Sequence, residues 1–217
     1  MSGIHLALLG MNFGPGAPTV IGQAYEGGFW TGDISTTANS VATHHLVLAP
    51  LSSGQTSAVW KTSNTSTAGT SSDIDGPANT AAQIAAGAAS HPCADFCNNL
   101  SIGGYTDWYM PAKNELEINY FNLKPGTQPN NTAAGINPNA VPARASTYTT
   151  SPSVPSQTSA TIFQAGNSEA FTAGYYFSST ELTATTAANQ YLGTGQQNNY
   201  NTKNSLQRVR AVRRVPV

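Results

Sequence analysis

The chain has 217 residues and a formal net charge of −1, and it is 39% hydrophobic but only 9% charged. That length suits one domain whose core needs no disulfide or metal, and the near-zero charge disfavours nucleic acid and anionic membranes as partners. Because charged residues fall well below their usual share of about 25%, solubility must come from Thr, Ser, Asn and Gln. Such a neutral surface suits a protein that works outside a cell or on a virus particle.

The N-terminal stretch predicts an arm rather than a membrane segment or a secretion signal. Its apolar run at residues 4–9 is far shorter than the roughly 20 residues that span a bilayer. A secretory signal requires a Lys or Arg before its apolar run, and none precedes this one. We therefore expect an arm or tether over residues 1–22, one domain over residues 23–217, and no membrane insertion.

Strand signals come next in the chain. Residues 20–32 combine an Ala-Tyr-Glu-Gly-Gly turn with Phe-Trp-Thr-Gly, which predicts a hairpin. Residues 44–49, HHLVLA, predict a strand on which His44 and His45 face opposite ways, so these two cannot share a metal. A further short strand is predicted at residues 58–61.

Two short helices are predicted in the middle of the chain. Residues 75–89 form a narrow Ala-rich helix, with Asp75 accepting backbone N–H bonds at its start. Pro92 opens the second helix, in which Cys93 and Cys97 lie four residues apart in a geometry that suits a disulfide poorly. We expect buried thiols; the functional alternative, half of a metal site, lacks a suitably spaced His pair.

The strongest helix signal lies in residues 103–123, GGYTDWYMPAKNELEINYFNL. Pro111 suits the first helical turn, where its missing N–H costs nothing. Leu116, Tyr120 and Leu123 follow at i, i+4 and i+7, so one stripe of the helix is apolar and needs a cover. The sequence predicts a helix that begins at Pro111 and packs this stripe on the core.

Residues 124–160 change character, being rich in Pro, Asn, Thr and Ser. The segment is too long for an ordinary connection, so its length indicates a functional insertion or poor order. We expect an ordered surface insertion, after which strand character resumes at residues 161–163.

The C-terminal part is the most β-like, with strands predicted at residues 174–179, 189–192 and 208–215. On the last of these, Arg208 and Arg210 share one face. Two interpretations stay open for these arginines. They either neutralise internal carboxylates such as Glu115 or Asp107, or they bind a ligand or an anion.

The most specific motifs lie in three blocks: GGYTDWYMPAKNEL, YYFSSTEL and NQYLGTGQQNNYNTKNSLQRVRAVR. The residues that carry them are Gly104, Tyr105, Asp107, Trp108, Pro111, Glu115, Leu116, Tyr176, Ser178, Ser179, Glu181, Arg208, Val209, Arg210, Val212 and Arg213. As a set, these blocks resemble the C-terminal domain of collagen-like bacterial adhesins, the Lcl C-terminal family, in its phage-encoded branch. The resemblance covers roughly residues 25–215, although the insertion is longer than expected and the first twenty residues have no counterpart.

This resemblance implies an α+β chain with a C-type-lectin-like fold. Two or three short helices are expected to pack on a small twisted antiparallel sheet whose first and last strands pair. Adhesion or display is the implied role, since phage tail-fibre and other virion proteins are frequent carriers of the domain. The residues expected to be structural are Tyr105, Asp107, Trp108, Pro111, Glu115, Ser178, Ser179, Arg208 and Arg210.

No catalytic constellation is recognisable, and no enzyme, cofactor or metal is expected. All four histidines (His5, His44, His45 and His91) precede the strongest motif block, and the nucleophile motif G-x-S-x-G is missing. The formylglycine-generating enzymes resemble this fold in part, but they rely on reactive cysteines. Cys93 and Cys97 lie in an amphipathic helix and do not match that arrangement.

Calcium-dependent sugar binding is a second candidate, because Gln128-Pro129-Asn130 resembles the tripeptides of C-type lectins. Calcium, however, takes six to eight oxygen ligands including carboxylates. Residues 124–168 contain no Asp or Glu. We therefore interpret the tripeptide as a Pro-centred turn.

The amide-rich segment at residues 189–204 offers a binding face without a metal. Its donors, acceptors and tyrosines suit sugar hydroxyls or a protein epitope. The candidate ligand-binding residues are Asn189, Tyr191, Gln196, Gln197, Asn198, Asn199, Tyr200, Asn201, Lys203 and Asn204. In the diversity-generating phage adhesins that this chain resembles in outline, the corresponding region reads the receptor. The alternative is a solvated hairpin loop without a ligand.

We expect a phage virion adhesin or decoration protein of the tail-fibre or capsid-fibre type, located on the virion surface or tail. Its partners would be other virion proteins and a host-surface glycan or protein receptor, and a homo-oligomer, with a trimer favoured, is expected. The alternatives are a purely structural virion protein without its own ligand and a bacterial adhesin domain that is secreted or displayed on the cell surface.

Overall fold

Residues 16–198 and 201–217 are described here from a computed structural model. They form a mixed α and β structure with few helices and long loops, as predicted at the level of fold class. The helices are α1 (Leu51–Gly54), α2 (Gly76–Ala85), α3 (Pro92–Asn98) and α4 (Lys113–Leu123), with 3-10 turns at Ala88–Ser90 and Thr161–Phe163. The strands are β1 (Ala24–Tyr25), β2 (Gly28–Ile34), β3 (His44–Leu48), β4 (Gln55–Ala58), β5 (Ala140–Val141), β6 (Thr149–Thr150), β7 (Ser153–Val154), β8 (Tyr175–Glu181), β9 (Ala187–Tyr191), β10 (Gln196–Asn198), β11 (Gln207–Arg210) and β12 (Val212–Pro216).

Two five-stranded sheets organise these strands. The first sheet has the order β1-β2-β3-β12, with β5 also beside β2, and the second has the order β10-β9-β8-β11-β4. Their strands pair antiparallel except for β11 and β8, which run parallel. A separate ribbon joins β6 to β7. The last strand is thus the neighbour of β3, whereas the resemblance implied pairing with the first strand.

The predicted strand at residues 208–215 is in fact two strands in different sheets. Ala211 lies at the crossing, where its N–H donates to the carbonyl of Gly54 (2.9 Å) and its carbonyl accepts from Ala49 (3.0 Å). Before it, β11 lies between β8 and β4, and after it, β12 continues beside β3. The change of sheet depends on these distant partners, and the alternation of side chains along residues 208–215 does not reveal it.

Strand β3 is covered on both faces. Leu46 and Leu48 belong to one buried cluster, which is centred on α4. Val47 and Ala49 point the other way into a second cluster, together with Trp60. Because successive side chains of a strand alternate between faces, one apolar run serves both clusters.

Helix α2 follows its predicted capping. The Asp75 carboxylate accepts the N–H of Ala78 (3.2 Å), and this satisfies one of the free donors at a helix start. The helix ends at Ala85, four residues before the predicted end, and Gly87 follows at a φ of +126°. In α3, Cys93 and Cys97 are buried free thiols, as predicted.

Helix α4 begins at Lys113, two residues later than predicted. Pro111 precedes it, and the Pro111 carbonyl accepts from Ser179 of β8 (2.8 Å). The predicted stripe of Leu116, Tyr120 and Leu123 is buried, as expected. The polar side of the helix is buried too, including Glu115, Glu117 and Asn119, so α4 is largely enclosed and only Lys113, Phe121 and Asn122 are half-buried.

Two of the short predicted strands are wrong. β4 ends at Ala58, and Trp60 lies beyond it with its indole N–H donating to the Ser178 carbonyl (2.9 Å). Residues 161–163 form a 3-10 turn that buries Phe163 in the first cluster. In both places a large aromatic residue fills the core from outside a strand, so its high strand propensity does not predict the local structure.

Residues 124–160, predicted as a surface insertion, lie partly in the core. Ala134, Ala140 and Tyr148 belong to the cluster around α4, and β5 adds to the first sheet. The Tyr148 hydroxyl donates to the buried carboxylate of Glu117 (2.6 Å). The segment is therefore an integral part of the fold, and the prediction of a surface excursion is corrected.

Candidate functional site

The charged residues of the closing segment are largely paired inside the protein. Arg213 is held by both carboxylate oxygens of Asp107 (2.7 and 3.0 Å) and by Glu26 (3.0 Å). Its guanidinium also lies 3.9 Å from the centroid of the Tyr105 ring. Desolvation opposes the charge on Arg213, but the two carboxylates outweigh it and raise the pKa of Arg213. This cation is a structural brace between β12 and the loop before α4.

Glu115 is a fully buried carboxylate with three donors around it. They are the Tyr109 hydroxyl (2.5 Å), the Ala112 N–H (2.7 Å) and Nε of Arg214 (2.8 Å). Burial raises the pKa of Glu115, while Arg214 and the hydrogen bonds act in the opposite direction. Tyr109 and Glu115 are buried and the Arg214 side chain is only 12% exposed, which favours a structural role for this cluster.

Arg208 and Arg210 have different surroundings from those predicted. Arg210 is buried, pairs with Glu169 and donates to the Ala49 carbonyl (2.8 Å). Burial lowers the pKa of Arg210 to about 10, so it stays charged at neutral pH. Arg208 is half-buried and lies against Gly174. The carboxylates predicted as partners, Asp107 and Glu115, do pair with arginines of this segment. Their partners are Arg213 and Arg214, however, and not Arg208 and Arg210.

The paired serines of β8 also lie in the core. The Ser178 hydroxyl donates to the carbonyl of Ala188 (3.0 Å). The Ser179 carbonyl accepts from the Gln83 amide (3.0 Å), and its hydroxyl accepts from Asn79 (3.2 Å). Both serines connect β8 to its neighbours and are out of reach of a ligand.

The amide-rich segment lies at the edge of the second sheet. β10 is the edge strand, and it pairs with β9 in the register Gln196 with Tyr191 and Gln197 with Gln190. The Tyr191 ring contacts the ring of Tyr175 edge-on, with centroids 5.1 Å apart. The exposed or half-buried members, which we call the hairpin face, are Tyr191, Gln196, Gln197, Asn201 and Asn204.

Two predicted ligand residues are excluded from this face by burial. Lys203 has no exposed surface, and its ammonium is bound to Glu181 (2.8 Å) and to the carbonyls of Thr65 and Ala184 (3.0 Å each). Asn189 is 3% exposed within β9. Sequence reasoning missed this because the partners of Lys203 lie far away in the chain. Of the other predicted residues, Asn199, Tyr200 and the side chain of Asn198 lie outside the described residues.

Three cavities meet at Phe121, a half-buried residue of α4 that sequence reasoning did not select as a site. The first cavity, of about 350 Å³, is lined by Ile21, Phe121, Asn122 and residues 153–159. The second, of about 290 Å³, shares Phe121 and Val154 and extends along residues 144–149. A smaller third cavity of about 80 Å³ adjoins Asp33. The length of segment 124–160 was the one signal that pointed here.

The tripeptide at residues 128–130 forms no calcium site. Asn130 is buried, and its side-chain oxygen accepts from the Tyr120 hydroxyl (2.7 Å) and the Lys124 ammonium (2.7 Å). An ammonium at this oxygen would repel a cation. Within residues 16–198 and 201–217, no three His, Cys, Asp or Glu side chains are grouped so that they could hold a metal ion.

Neither a membrane-spanning helix nor a reactive thiol is found among the described residues. None of the described helices combines the length and the apolar character that crossing a membrane requires. Burial raises the pKa of Cys93 and of Cys97, so neither thiol is poised as a nucleophile.

In comparisons with protein-family models, with curated proteins and with solved structures, nothing matches this chain.

Proposed function

We propose that this chain is a phage virion adhesin or decoration protein, of the tail-fibre or capsid-fibre type, with a C-type-lectin-like domain. It binds a host-surface glycan or protein through the hairpin face, as a binding module rather than an enzyme. It acts on the virion surface or tail, in contact with other virion proteins.

The observation that carries this proposal is the chemistry of the hairpin face. Its members are four amides and one tyrosine on and beside the edge strand β10, where Asn204 is exposed and the other four are half-buried. Amide groups can donate and accept at once, and an aromatic ring offers a flat apolar surface. This combination suits sugar hydroxyls or a polar protein epitope better than it suits a charged substrate.

Support for the lectin-like domain comes from the motif blocks and their contacts. Helix α2 packs against β8, and α4 packs against strands of both sheets. Asp107 and Glu115 of the first block bind Arg213, the last residue of the third block, and Arg214 directly after it. The motifs therefore brace one another, and the loops between the closing strands are left for recognition.

A binding assay with matched variants tests the hairpin face. In the triple variant Gln196→Ala, Asn201→Ala and Asn204→Ala, we expect binding to host cells or to a glycan array to fall at least about tenfold, or 1.4 kcal/mol. The control carries the same chemical change at Asn64, Asn98 and Asn167, which are exposed elsewhere. Equal binding by parent and hairpin variant contradicts the proposal. A parent that binds neither cells nor glycans favours the purely structural virion protein instead.

Assembly is a separate part of the proposal. Several weak binding sites linked in one fibre bind more tightly than a single site, since linkage raises the overall affinity without new contacts. We propose a homo-oligomer, with a trimer favoured. Light scattering on the purified chain checks this, and a monomer at all concentrations contradicts it.

A further inference from the structure

We propose that the two larger cavities beside Phe121 form a second binding site, whose ligand is a neutral oligosaccharide. This inference concerns the loop at residues 144–159 and helix α4, and it does not require the hairpin face to bind anything.

The two cavities form one concave surface in two parts. The first is about 350 Å³ and the second about 290 Å³, and both are lined by Phe121 and Val154. Val154 is 43% exposed and stands between them. Small-molecule sites usually occupy about 300–1,000 Å³. Together the two parts therefore have the size for a short chain of sugar units lying across Val154.

The chemistry of the first cavity excludes a charged ligand. Its polar lining consists of amides and hydroxyls, including Asn122, Ser156 and Gln157, and it contains no ionisable side chain. A phosphate, sulfate or carboxylate would lose its hydration here and meet no cation in the lining, because the Lys124 ammonium behind Ser153 and Pro155 has no exposed surface. A ligand rich in hydroxyl groups can exchange hydrogen bonds with this lining at no such cost.

The second cavity is more apolar, and its single cation is already neutralised. Ala145, Tyr148 and Val154 form its walls. Arg144 lies with its guanidinium 4.0 Å from the centroid of the Phe121 ring and pairs with the buried carboxylate of Glu117. This half therefore suits the apolar face or a methyl-bearing group of a sugar, whereas the first half suits its hydroxyls.

The cavity wall is fixed by a buried ammonium. Nζ of Lys124 donates to the Pro155 carbonyl (3.3 Å) and to the side-chain oxygen of Asn130 (2.7 Å). The amide of Asn130 in turn donates to the hydroxyl of Ser153 (3.2 Å). Burial lowers the pKa of Lys124, and its contacts are neutral oxygens.

Two further bonds hold the rim of the first cavity. The Thr158 N–H donates to the Lys124 carbonyl (3.0 Å), and the Gln157 amide donates to the Pro125 carbonyl (2.8 Å). A wall that is ordered before the ligand arrives lowers the entropic cost of binding.

Amide NMR titration of the full chain tests this site and separates it from the hairpin face. The probes are chitotriose, maltotriose and lactose, with sialyllactose as the charged comparison. We expect at least one neutral sugar to shift the amide signals of residues 121–122, 153–154 and 156–159. We expect Ser156→Trp, which places a bulky ring at the exposed rim, to weaken that binding at least about tenfold.

The controls make failure of the fold distinguishable from failure of the site. Ser159→Trp blocks the same exposed rim from a second position, while Ser63→Trp adds the same ring at an exposed residue that lines none of the three cavities. Ser63→Trp and the hairpin triple variant are expected to bind as the parent does. The inference is overturned if no neutral sugar shifts these amides, if shifts are confined to residues 196–204, if sialyllactose binds more tightly than lactose, or if both rim variants bind like the parent.

Discussion

Arg213 and Arg214, adjacent on β12, each bind a carboxylate from the block before or within α4. Adjacent side chains on a strand point to opposite faces, so one dipeptide secures both sides of the strand. A buried ion pair need not add net stability, but removing one partner leaves the other charge buried and unpaired. The contribution of each pair is therefore seen most clearly when one member is deleted.

Arg214→Met is expected to lower the free energy of unfolding by about 3–5 kcal/mol, because the Glu115 carboxylate is left without its cation. Urea unfolding at pH 7 measures the loss. Lys113→Met is the matched control, since it removes a half-exposed pair with Asp73 and should cost no more than about 1 kcal/mol. Equal losses in the two variants would show that the Glu115 pair contributes no more than an exposed one.

Trp108 is 2% exposed, and its indole N–H donates to the Tyr105 carbonyl (3.1 Å). Trp108→Ala is expected to destabilise the protein by about 3–5 kcal/mol through the cavity it leaves. Thermal and urea unfolding check the value, with Trp108→Phe expected to lose less. A change of melting temperature of only a degree or two would contradict the tight packing around this ring.

Single residues were predictable where local chemistry decides their burial. The thiols of Cys93 and Cys97 and the apolar stripe of α4 were assigned correctly because their spacing alone places them on a buried face. Lys203 was not, since Thr65 lies 138 residues away in the chain. Composition suggested an exposed amide and lysine face, and only the tertiary contacts show which members are buried.

At the scale of elements, the start of α3 depends on a neutral histidine. His91 has no exposed surface; its Nδ1 donates to the Gly87 carbonyl (2.9 Å) and its Nε2 accepts from Thr67 (2.9 Å). Desolvation lowers the pKa of His91, with Lys61 and Lys203 acting in the same direction and the Gly87 hydrogen bond and Glu181 opposing. Protonation would place a second donor against a hydroxyl that already accepts from Lys61 (2.9 Å).

Stability is therefore expected to fall as the pH drops below about 6.5, the usual pKa of an unfolded histidine. In that window the unfolded state binds more protons than the folded state, so the contribution of His91 is present above the window and is lost through it. Melting temperatures between pH 7.5 and 5 measure the slope, and His91→Gln should flatten it. A slope unchanged by His91→Gln would contradict the assignment of this pH dependence to His91. Burial also lowers the pKa of His44, but His44 is present in both proteins and cannot cause a difference between them.

The elements themselves were largely predictable, because capping and periodicity are local. α2, α3 and α4 lie within a few residues of their predicted bounds, and β3, β8 and β9 were found. The short elements α1, β5, β6, β7 and β10 were missed. Errors also lie at Trp60 and Phe163, where aromatic residues fill the core from loops, and at Ala211, where an unbroken alternation crosses between sheets. Each of these depends on a distant partner, which no window of sequence contains.

At the scale of the whole molecule, residues 207–216 join the two sheets. β11 is internal to the second sheet, and β12 covers the edge of β3 in the first. Both core clusters draw on this segment, through Val212 in one and Val209 in the other. Neither sheet is complete without it.

Unfolding is therefore expected to be a single cooperative transition. Tryptophan fluorescence follows the cluster that holds Trp60 and Trp108, while far-UV circular dichroism follows both sheets and all helices. Coincident urea midpoints are the test of two-state behaviour. Two separated midpoints would mean that the sheets unfold independently in spite of the shared segment.

The candidate sites differ in how far the sequence could predict them. The hairpin face is a continuous stretch whose amide composition is visible in the sequence. The cavities beside Phe121 are built from helix α4, the segment around residue 21 and the loop at residues 144–159. A concave surface made by separate segments has no local signature, and only the unusual length of the insertion drew attention to it.

The late position of residues 207–216 has a consequence for biosynthesis. Translation proceeds at about 5–20 residues per second. β4 pairs with β11, and β3, which already has β2 on one side, pairs on its other side with β12. Both therefore wait on the order of ten seconds for these late strands. In that interval the edge of β3 that later receives β12 presents unpaired backbone groups, and an exposed strand edge of this kind can start aggregation. Slower growth at low temperature, or a chaperone that shields nascent strands, is therefore expected to raise the soluble yield.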